Sequence, residues 1–427
     1  MLRFFELKEN QTTVSRQIVA GLTTFFTMAY IVIVAPAVLH HAGMNENSVF
    51  VATCLVAALG SIVSGLLANY PIAFAPGLGL LSYLSYVVEG QLGYSWQAGM
   101  AAVLIAGVIF LFISITRIRE FILAAIPRSL GYATAAGIGF FIGFIALKNV
   151  GLVVSDPVTL VTLGNLHTAF VLLFIVGFFI IAILSHRGVV GAMIIGMAIV
   201  SFLGWLLGLV HIAGVVALPD DVGHTVLALN FSELHTVNAI PIIFTLVLIA
   251  LFDSTGSLLG LTLHLPAASA KEKNARINRA LVAESIATIG AGLLGTSTTA
   301  PFIESAAGIK AGGRTGLTAI VVALCFLLVI FFAPLAMSIP EYATASALFY
   351  VACIMIKPIA AIEWDDTLES IPAAITLLSI PLTFSIVDGV GLGILCYIIL
   401  KLCIGRIRDV HPMLGILAAA FLIYFCL

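Results

Sequence analysis

The sequence predicts an all-α polytopic membrane protein, and three observations predict it. Only 9% of its 427 residues are charged and 62% are hydrophobic, whereas a soluble domain carries about 25% charged residues. The mean hydropathy is +1.21. The apolar runs number about fourteen, each near the roughly 20 residues that a helical span requires. The formal net charge of −2 says little, because the charges are segregated along the chain. The first ten residues are polar and mixed. The first apolar run is too long for a signal-peptide h-region, so no cleavable signal is expected.

In chain order, residues 17–39 form span 1, with Thr23, Thr24 and Thr27 on an otherwise apolar helix, and residues 48–68 form span 2. Residues 69–90 read as a broken third element, because Pro71, Pro76, Gly77 and Gly79 do not fit one continuous helix. Residues 96–116 form span 4, ending in Arg117 and Arg119. Span 5 opens near Pro127 and ends near Lys148. Residues 168–185 and 189–211 are spans 6 and 7, followed by an acidic connection with Asp220, Asp221 and Glu233. Residues 242–263 are span 8, and a basic loop follows with Lys271, Lys273, Arg276 and Arg279. Residues 281–294 are span 9, entered by Glu284.

Span 10, residues 295–313, is a poor membrane helix. Thr296, Thr298 and Thr299 favour extended backbone, and Pro301 suits the first turn of a helix. The expectation is an extended piece, a break, and a half-helix whose first turn holds Glu304. Irregular backbone at membrane depth is tolerated only where protein or a watery cavity covers it. Residues 317–337 form span 11, span 12 follows Pro340, and residues 363–369 read as an acidic solvated loop. Residues 371–386 and 390–402 are a hairpin of spans 13 and 14, turned at Asp388-Gly389. Residues 414–427 are a fifteenth span or an interfacial helix.

Pro76 and Pro301 lie 225 residues apart, and Pro127 and Pro340 lie 213 apart. Both offsets are near half the chain. Seven spans per half is an odd number, so the halves are inverted. Interrupted segments at matching positions of two halves point to a transport site. Lys and Arg cluster where a cytoplasmic N-terminus places the cytoplasmic loops. Lys148 is the exception, a helix-end lysine able to snorkel.

Asp253 lies mid-span in span 8, and a carboxylate there costs about 2.5–3.5 kcal/mol on insertion scales. The plain reading is a hydrogen-bond partner for a neighbouring helix. The functional reading is a solute or proton ligand. Glu304 is read as the second ligand, and the N–H groups of its half-helix add to that site. Two carboxylates on one cavity suit a neutral, planar, N–H-rich solute, and one of them loading a proton couples transport to the proton gradient. Glu284 is expected to cap or snorkel. Gly137, Gly139 and Gly143 in span 5 are close-packing positions. The six cysteines (Cys54, Cys325, Cys353, Cys396, Cys403, Cys426) are apolar packers, and the nine histidines show no ligand spacing. No Walker loop, His-Glu-x-x-His or nucleophile elbow appears, so neither an enzyme nor a cofactor or metal site is expected.

The chain resembles the AzgA-like purine permeases of the nucleobase–cation symporter family 2, which have the nucleobase–ascorbate transporter fold. The resemblance rests on residues 4–10 (FFELKEN), 20–30 (AGLTTFFTMAY), 69–79 (NYPIAFAPGLG), 251–257 (LFDSTGS), 295–299 (GTSTT), 304–308 (ESAAG), 312–316 (GGRTG) and 364–366 (WDD). It implies about 14 transmembrane helices in two inverted 7-helix repeats, with short strands in broken helices 3 and 10. It implies a core domain of residues 1–120 and 239–338 and a gate domain of 121–238 and 339–427. The solute would bind between spans 3 and 10, at Ala75, Gly77, Thr298, Thr299, Phe302, Thr24, Asp253 and Glu304. The last two are also the proton-coupling residues. The implied activity is proton-coupled uptake of hypoxanthine, guanine, adenine or xanthine at a bacterial inner membrane. The implied partners are a nucleobase, a proton and the lipid bilayer, with a homodimer admitted and no nucleic acid. Three departures from the family pattern, Leu81, Ala250 and Ala300-Pro301, each remove a polar group from the implied site. The alternatives are a same-fold carrier for another solute or an anion, or a channel.

Overall fold

A computed structural model describes residues 4–90, 92–116, 126–210, 214–218, 222–235, 239–262, 265, 270–406 and 409–426. Arg117, Arg119, His211, Asp220, Asp221, Leu263, Arg408 and Leu427 lie outside the described residues. The chain divides into two compact units. One holds Met1–Ile115 and Asn149–Ala347, and the other holds Thr116–Lys148 and Leu348–Leu427. Among the described residues, nine helices are long and apolar enough to cross a membrane, and four shorter apolar helices accompany them. Two broken elements complete the set.

In the first unit, span 1 is two helices, α1 (Val14–Met28) and α2 (Ile31–His40), separated at Ala29-Tyr30. Helix α3 (Glu46–Leu67) is capped by Asn45, whose side chain accepts from Ser48 N. It ends at Asn69, which takes φ +50°, a left-handed conformation that Asn tolerates. The broken third element follows as β1 (Phe74–Pro76), α4 (Leu78–Ser82) and a π-helical turn, Tyr83–Glu89. Helix α5 (Trp96–Ile115) is span 4.

In the second unit, α6 (Arg128–Asn149) is span 5, its last residue reaching into the first unit. The first unit resumes with a hairpin that sequence reading did not anticipate, β2 (Val153–Asp156) and β3 (Leu160–Leu163), and continues to Ala347. Its turn is closed by Asp156, whose Oδ1 accepts from the amides of Thr159 and Val158, both at 2.8 Å. Those amides hold its carboxyl below the ordinary aspartate value.

Helices α7 (Ala169–His186) and α8 (Ala192–Leu206) are spans 6 and 7. Span 7 is shorter than predicted, because Gly191 and Gly208 both adopt positive φ at its ends. Helix α9 (Ala239–Thr262) is span 8. The predicted basic loop is a correction, since α10 runs Ala270–Leu294 and takes residues 271–279 into the helix. Ala, Lys, Glu and Arg there are strong helix formers, so the helix outlasts its apolar stretch.

The tenth element is β4 (Thr299–Pro301) and α11 (Ser305–Lys310). Span 11 is α12 (Gly316–Val329), one 3₁₀ turn, and α13 (Ala333–Met337). Helices α3 and α12 touch backbone to backbone, and a Cβ on Gly316 would lie 2.0 Å from Gly65 O. Hydroxyl pairs also tie neighbouring elements, Thr53 with Thr296 at 3.3 Å and Ser114 with Ser285 at 3.1 Å.

Helix α14 (Glu341–Met355) is span 12 and crosses from the first unit into the second. The second unit adds α15 (Thr367–Thr383), α16 (Ile386–Cys403) and α17 (Pro412–Cys426). A Cβ on Gly137 would lie 2.5 Å from Ile380, and one on Gly139 would lie 3.0 Å from Ala352 O, so α6 is closely packed as expected.

The acidic stretch 363–369 is an exposed loop as far as Asp366, and α15 takes its last three residues, while the expected turn at Asp388-Gly389 is helical. Asp366 caps α15 by accepting from Leu368 N at 2.9 Å. Glu369, in the first turn, stands 4.0 Å from Lys401 Nζ. Asp388 is in the first turn of α16, not in a turn between helices. Ser385 is the cap, accepting from Asp388 N at 3.2 Å, and the chain reverses at Phe384, φ +57°. An aspartate three residues after a capping serine favours the helix start, and that outweighed the Asp-Gly turn signal.

Helix α17 has 15 residues, about 22 Å at 1.5 Å per residue, short of a roughly 30 Å hydrocarbon core. Its Tyr424 hydroxyl donates to Asp388 Oδ1 at 3.0 Å. Tyr424→Phe is expected to lower stability by about 1 kcal/mol, read as a small fall in unfolding temperature in detergent with uptake unchanged.

Candidate functional site

The two interrupted elements pair with one another. Strands β1 and β4 are antiparallel, with Phe74 opposite Pro301, Ala75 opposite Ala300 and Pro76 opposite Thr299. Each strand carries one proline, which has no N–H to give, so the ladder is short. Flanking bonds extend it, Gly77 N to Thr298 O and Phe302 N to Ala73 O, both at 3.0 Å. Side chains satisfy other backbone groups. Ser305 Oγ accepts from Ala73 N at 3.1 Å, and Ser61 Oγ accepts from Phe74 N at 3.2 Å. Both strands are fully buried. Backbone that leaves the helix is therefore covered by protein, as a bilayer interior demands.

A carboxylate stands near each end of this pair. Asp253 on α9 is half-buried. Its Oδ2 lies 3.7 Å from the position a Cβ on Gly77 would take, and it hydrogen-bonds Ser257 one turn on. Glu304 directly precedes α11 and is also half-buried. Its Oε1 accepts from Tyr30 OH at 2.9 Å, and its carbonyl lies 3.4 Å from Thr27 Oγ1, whose one proton has nearer acceptors in Thr24 O at 2.7 Å and Thr23 O at 3.0 Å. The two carboxyl groups are close enough to act on one another electrostatically. The predicted half-helix is shorter than expected. With six residues, α11 offers less than two turns of aligned dipoles, and Glu304 turns its side chain to Tyr30 instead of capping it.

The other predicted site residues divide by face. Side chains alternate along extended backbone, so Thr298 and Ala300 share one side and Thr299 takes the other. Ala300 Cβ is 3.4 Å from the Cβ position of Gly77, the side on which Asp253 lies. Among the described residues, the buried Thr298 hydroxyl has no hydrogen-bond partner, nor has that of Thr24. Thr24 packs on Gly308, whose Cβ would clash with its hydroxyl. Thr299 is turned towards α10, bonding Thr288 Oγ1 at 3.0 Å and Glu284 O at 3.1 Å. The Phe302 ring stands 6.4 Å from that of Tyr30, and Ala75 contributes buried backbone in the strand pair. Leu81 and Ala250 are both buried, at 0% and 2% exposure.

Glu284 corrects the expectation of a capping or snorkelling residue. It is fully buried and accepts a hydrogen bond from Ser254 Oγ. It lies near the middle of the longer α10, not at its end. Sequence reasoning also missed Tyr30. The available signal was a tyrosine closing the Thr-rich face of span 1.

A Permease family profile matches residues 15–392. The chain is 44% identical over 425 residues to the adenine permease AdeP of Escherichia coli (strain K12), covering 99% of this chain and 95% of that protein. It is 39% identical over 427 residues to the guanine/hypoxanthine permease PbuO of Bacillus subtilis (strain 168), covering 98% of this chain and 99% of that one. In fold it matches the transmembrane domain of a cyanobacterium bicarbonate transporter, BicA, with a TM-score of 0.65, 15% identity, and coverage of 89% of this chain and 97% of that one. That likeness shows the architecture alone. The chain belongs to the Permease family and is a multi-pass membrane transport protein, not an enzyme.

Proposed function

We propose that the protein carries a purine nucleobase across the membrane by alternating access, with Asp253 and Glu304 as its hydrogen-bond acceptors. The observation that carries this reading is the β1–β4 pair flanked by two half-buried carboxyl groups. Purines are planar and rich in N–H groups, which carboxylates accept well. The buried Thr298 hydroxyl has no partner among the described residues and would donate to a ring nitrogen, and Phe302 offers an apolar ring near Tyr30 and Glu304. The relatives named for adenine and for guanine/hypoxanthine support the class. An anion is disfavoured, because two carboxyl groups would repel it.

Coupling to protons is part of the proposal, since a carboxyl group in a membrane site is the usual proton carrier. So are a core of residues 1–120 and 239–338 moving against a gate of 121–238 and 339–427, a cytoplasmic N-terminus, a bacterial inner membrane and a homodimer. The test is uptake of radiolabelled adenine, hypoxanthine, guanine and xanthine by cells expressing the protein. Saturable uptake of at least one base, with accumulation collapsed by a protonophore, is the expected result. Saturable uptake that a protonophore leaves intact removes the proton coupling. No saturable uptake of any base removes the purine reading. Binding to the folded state also raises apparent stability by mass action, about 2.7 kcal/mol at a hundredfold excess over Kd. The detergent-solubilised protein is therefore expected to melt higher with the transported base.

A further inference from the structure

Span 1 is interrupted where it passes the strand pair. Val32 N reaches Ala29 O at 3.2 Å and Ile33 N reaches Tyr30 O at 3.1 Å, the i→i+3 spacing of a tightened turn. Tyr30 sits on this turn with its ring 1% exposed. Its phenol meets Glu304 Oε1 at 2.9 Å. A buried phenol O–H needs an acceptor, and here the acceptor is a carboxyl group of the candidate site. Glu304 itself is half-buried, and the Tyr30 hydroxyl holds one oxygen of its carboxyl group.

We propose that Tyr30 is a positioning residue of the solute site, fixing the rotamer of Glu304 so that the carboxyl group meets the solute already oriented. This rests on the nucleobase reading for its transport consequence, but the contact itself does not. A glutamate has three rotatable side-chain bonds, and ordering it on binding lowers affinity. A donor that fixes it beforehand removes that loss. Thr27 Oγ1 also lies 3.4 Å from the Glu304 carbonyl, so span 1 packs against the backbone of Glu304 as well as bonding its carboxyl group. The interruption in span 1 thus joins those in spans 3 and 10 as a third irregular element serving one site.

Tyr30→Phe keeps the ring and its packing against Phe302 and removes only the hydroxyl. The expected result is a KM for the transported base raised about tenfold, with Vmax within twofold of the parent and the same amount of protein in the membrane. A packing role alone would lower Vmax or the protein level and leave KM where it was, and that outcome overturns the proposal. So does an unchanged KM with unchanged Vmax. A second readout needs no solute. In the unliganded, detergent-solubilised protein, the drops in unfolding temperature caused by Tyr30→Phe and by Glu304→Ala are expected to be less than additive in the double variant. Full additivity overturns the contact. Absence of purine uptake in the parent strikes the nucleobase reading and leaves this second readout to decide on Tyr30.

Discussion

Glu304→Ala is expected to abolish purine uptake, with a fall in Vmax/KM of at least about a hundredfold, while the protein still reaches the membrane. Hydrogen bonds to a charged group contribute about 1.5–3 kcal/mol each, and two from one base to one carboxylate account for a loss of that size. The structural cost is small by comparison. The Glu304 side chain is half-buried and its side-chain partner is Tyr30. Truncating it therefore leaves one phenol to find water in the space vacated. The contrast with two neighbours makes the test specific. Thr299 spends its hydroxyl on α10, so Thr299→Ala should lower the unfolding temperature and leave KM within a few-fold. Glu284 is fully buried against Ser254, so its loss should appear first as lost folded protein. Uptake kinetics on membranes matched for protein amount separate the three. If Glu304→Ala keeps the full thermal shift with the transported base, Glu304 is not a ligand.

The interruptions were legible in the sequence because they are written in prolines and threonines. Pro76, Pro301 and the Thr296–Thr299 run each argue against helix on local grounds, and local grounds suffice to break one. What the strands pair with is not local. The register of Ala75 on Ala300 depends on two segments about half the chain apart, and only the fold brings them together. The same limit explains Tyr30. A tyrosine in an apolar run reads as packing until its hydroxyl is seen beside Glu304. Glu284 failed differently. The apolar stretch of span 9 begins near residue 281, so Glu284 looked terminal, whereas α10 begins at Ala270 and carries it towards the centre. Helix propensity outside the bilayer moved the end of the element, and with it the depth of the carboxyl group. Asp388 and Glu369 were misplaced by the same kind of error, since polar residues at helix starts resemble polar residues in loops.

Gln17→Leu is expected to destabilise the protein by about 3 kcal/mol or more, although Gln17 touches none of the proposed ligands. Gln17 is fully buried near the start of α1. Its Oε1 faces four donors of the segment that follows α11. These are Arg314 N, Thr315 N and Thr315 Oγ1, each at 3.1 Å, and Thr318 Oγ1 at 2.7 Å. Its Nε2 donates to Gly312 O at 3.0 Å and to Thr12 Oγ1 at 2.6 Å. One side chain thus closes the end of the tenth element and the entry to α12. Leucine fills nearly the same volume but supplies no acceptor, so two backbone amides lose their partner where there is little water to replace it. Hydrogen bonds between membrane helices average only about 0.6 kcal/mol each, but here several share a single acceptor and are lost together. The measurement is the fraction of protein remaining monodisperse after heating in detergent, compared with Gln17→Glu, which keeps the acceptor oxygens. A leucine variant as heat-stable as the parent would show that these donors find other partners. A variant that is less stable yet has an unchanged KM would place Gln17 in the scaffold that holds residues 299–313 in position, separate from the carboxyl groups that meet the solute.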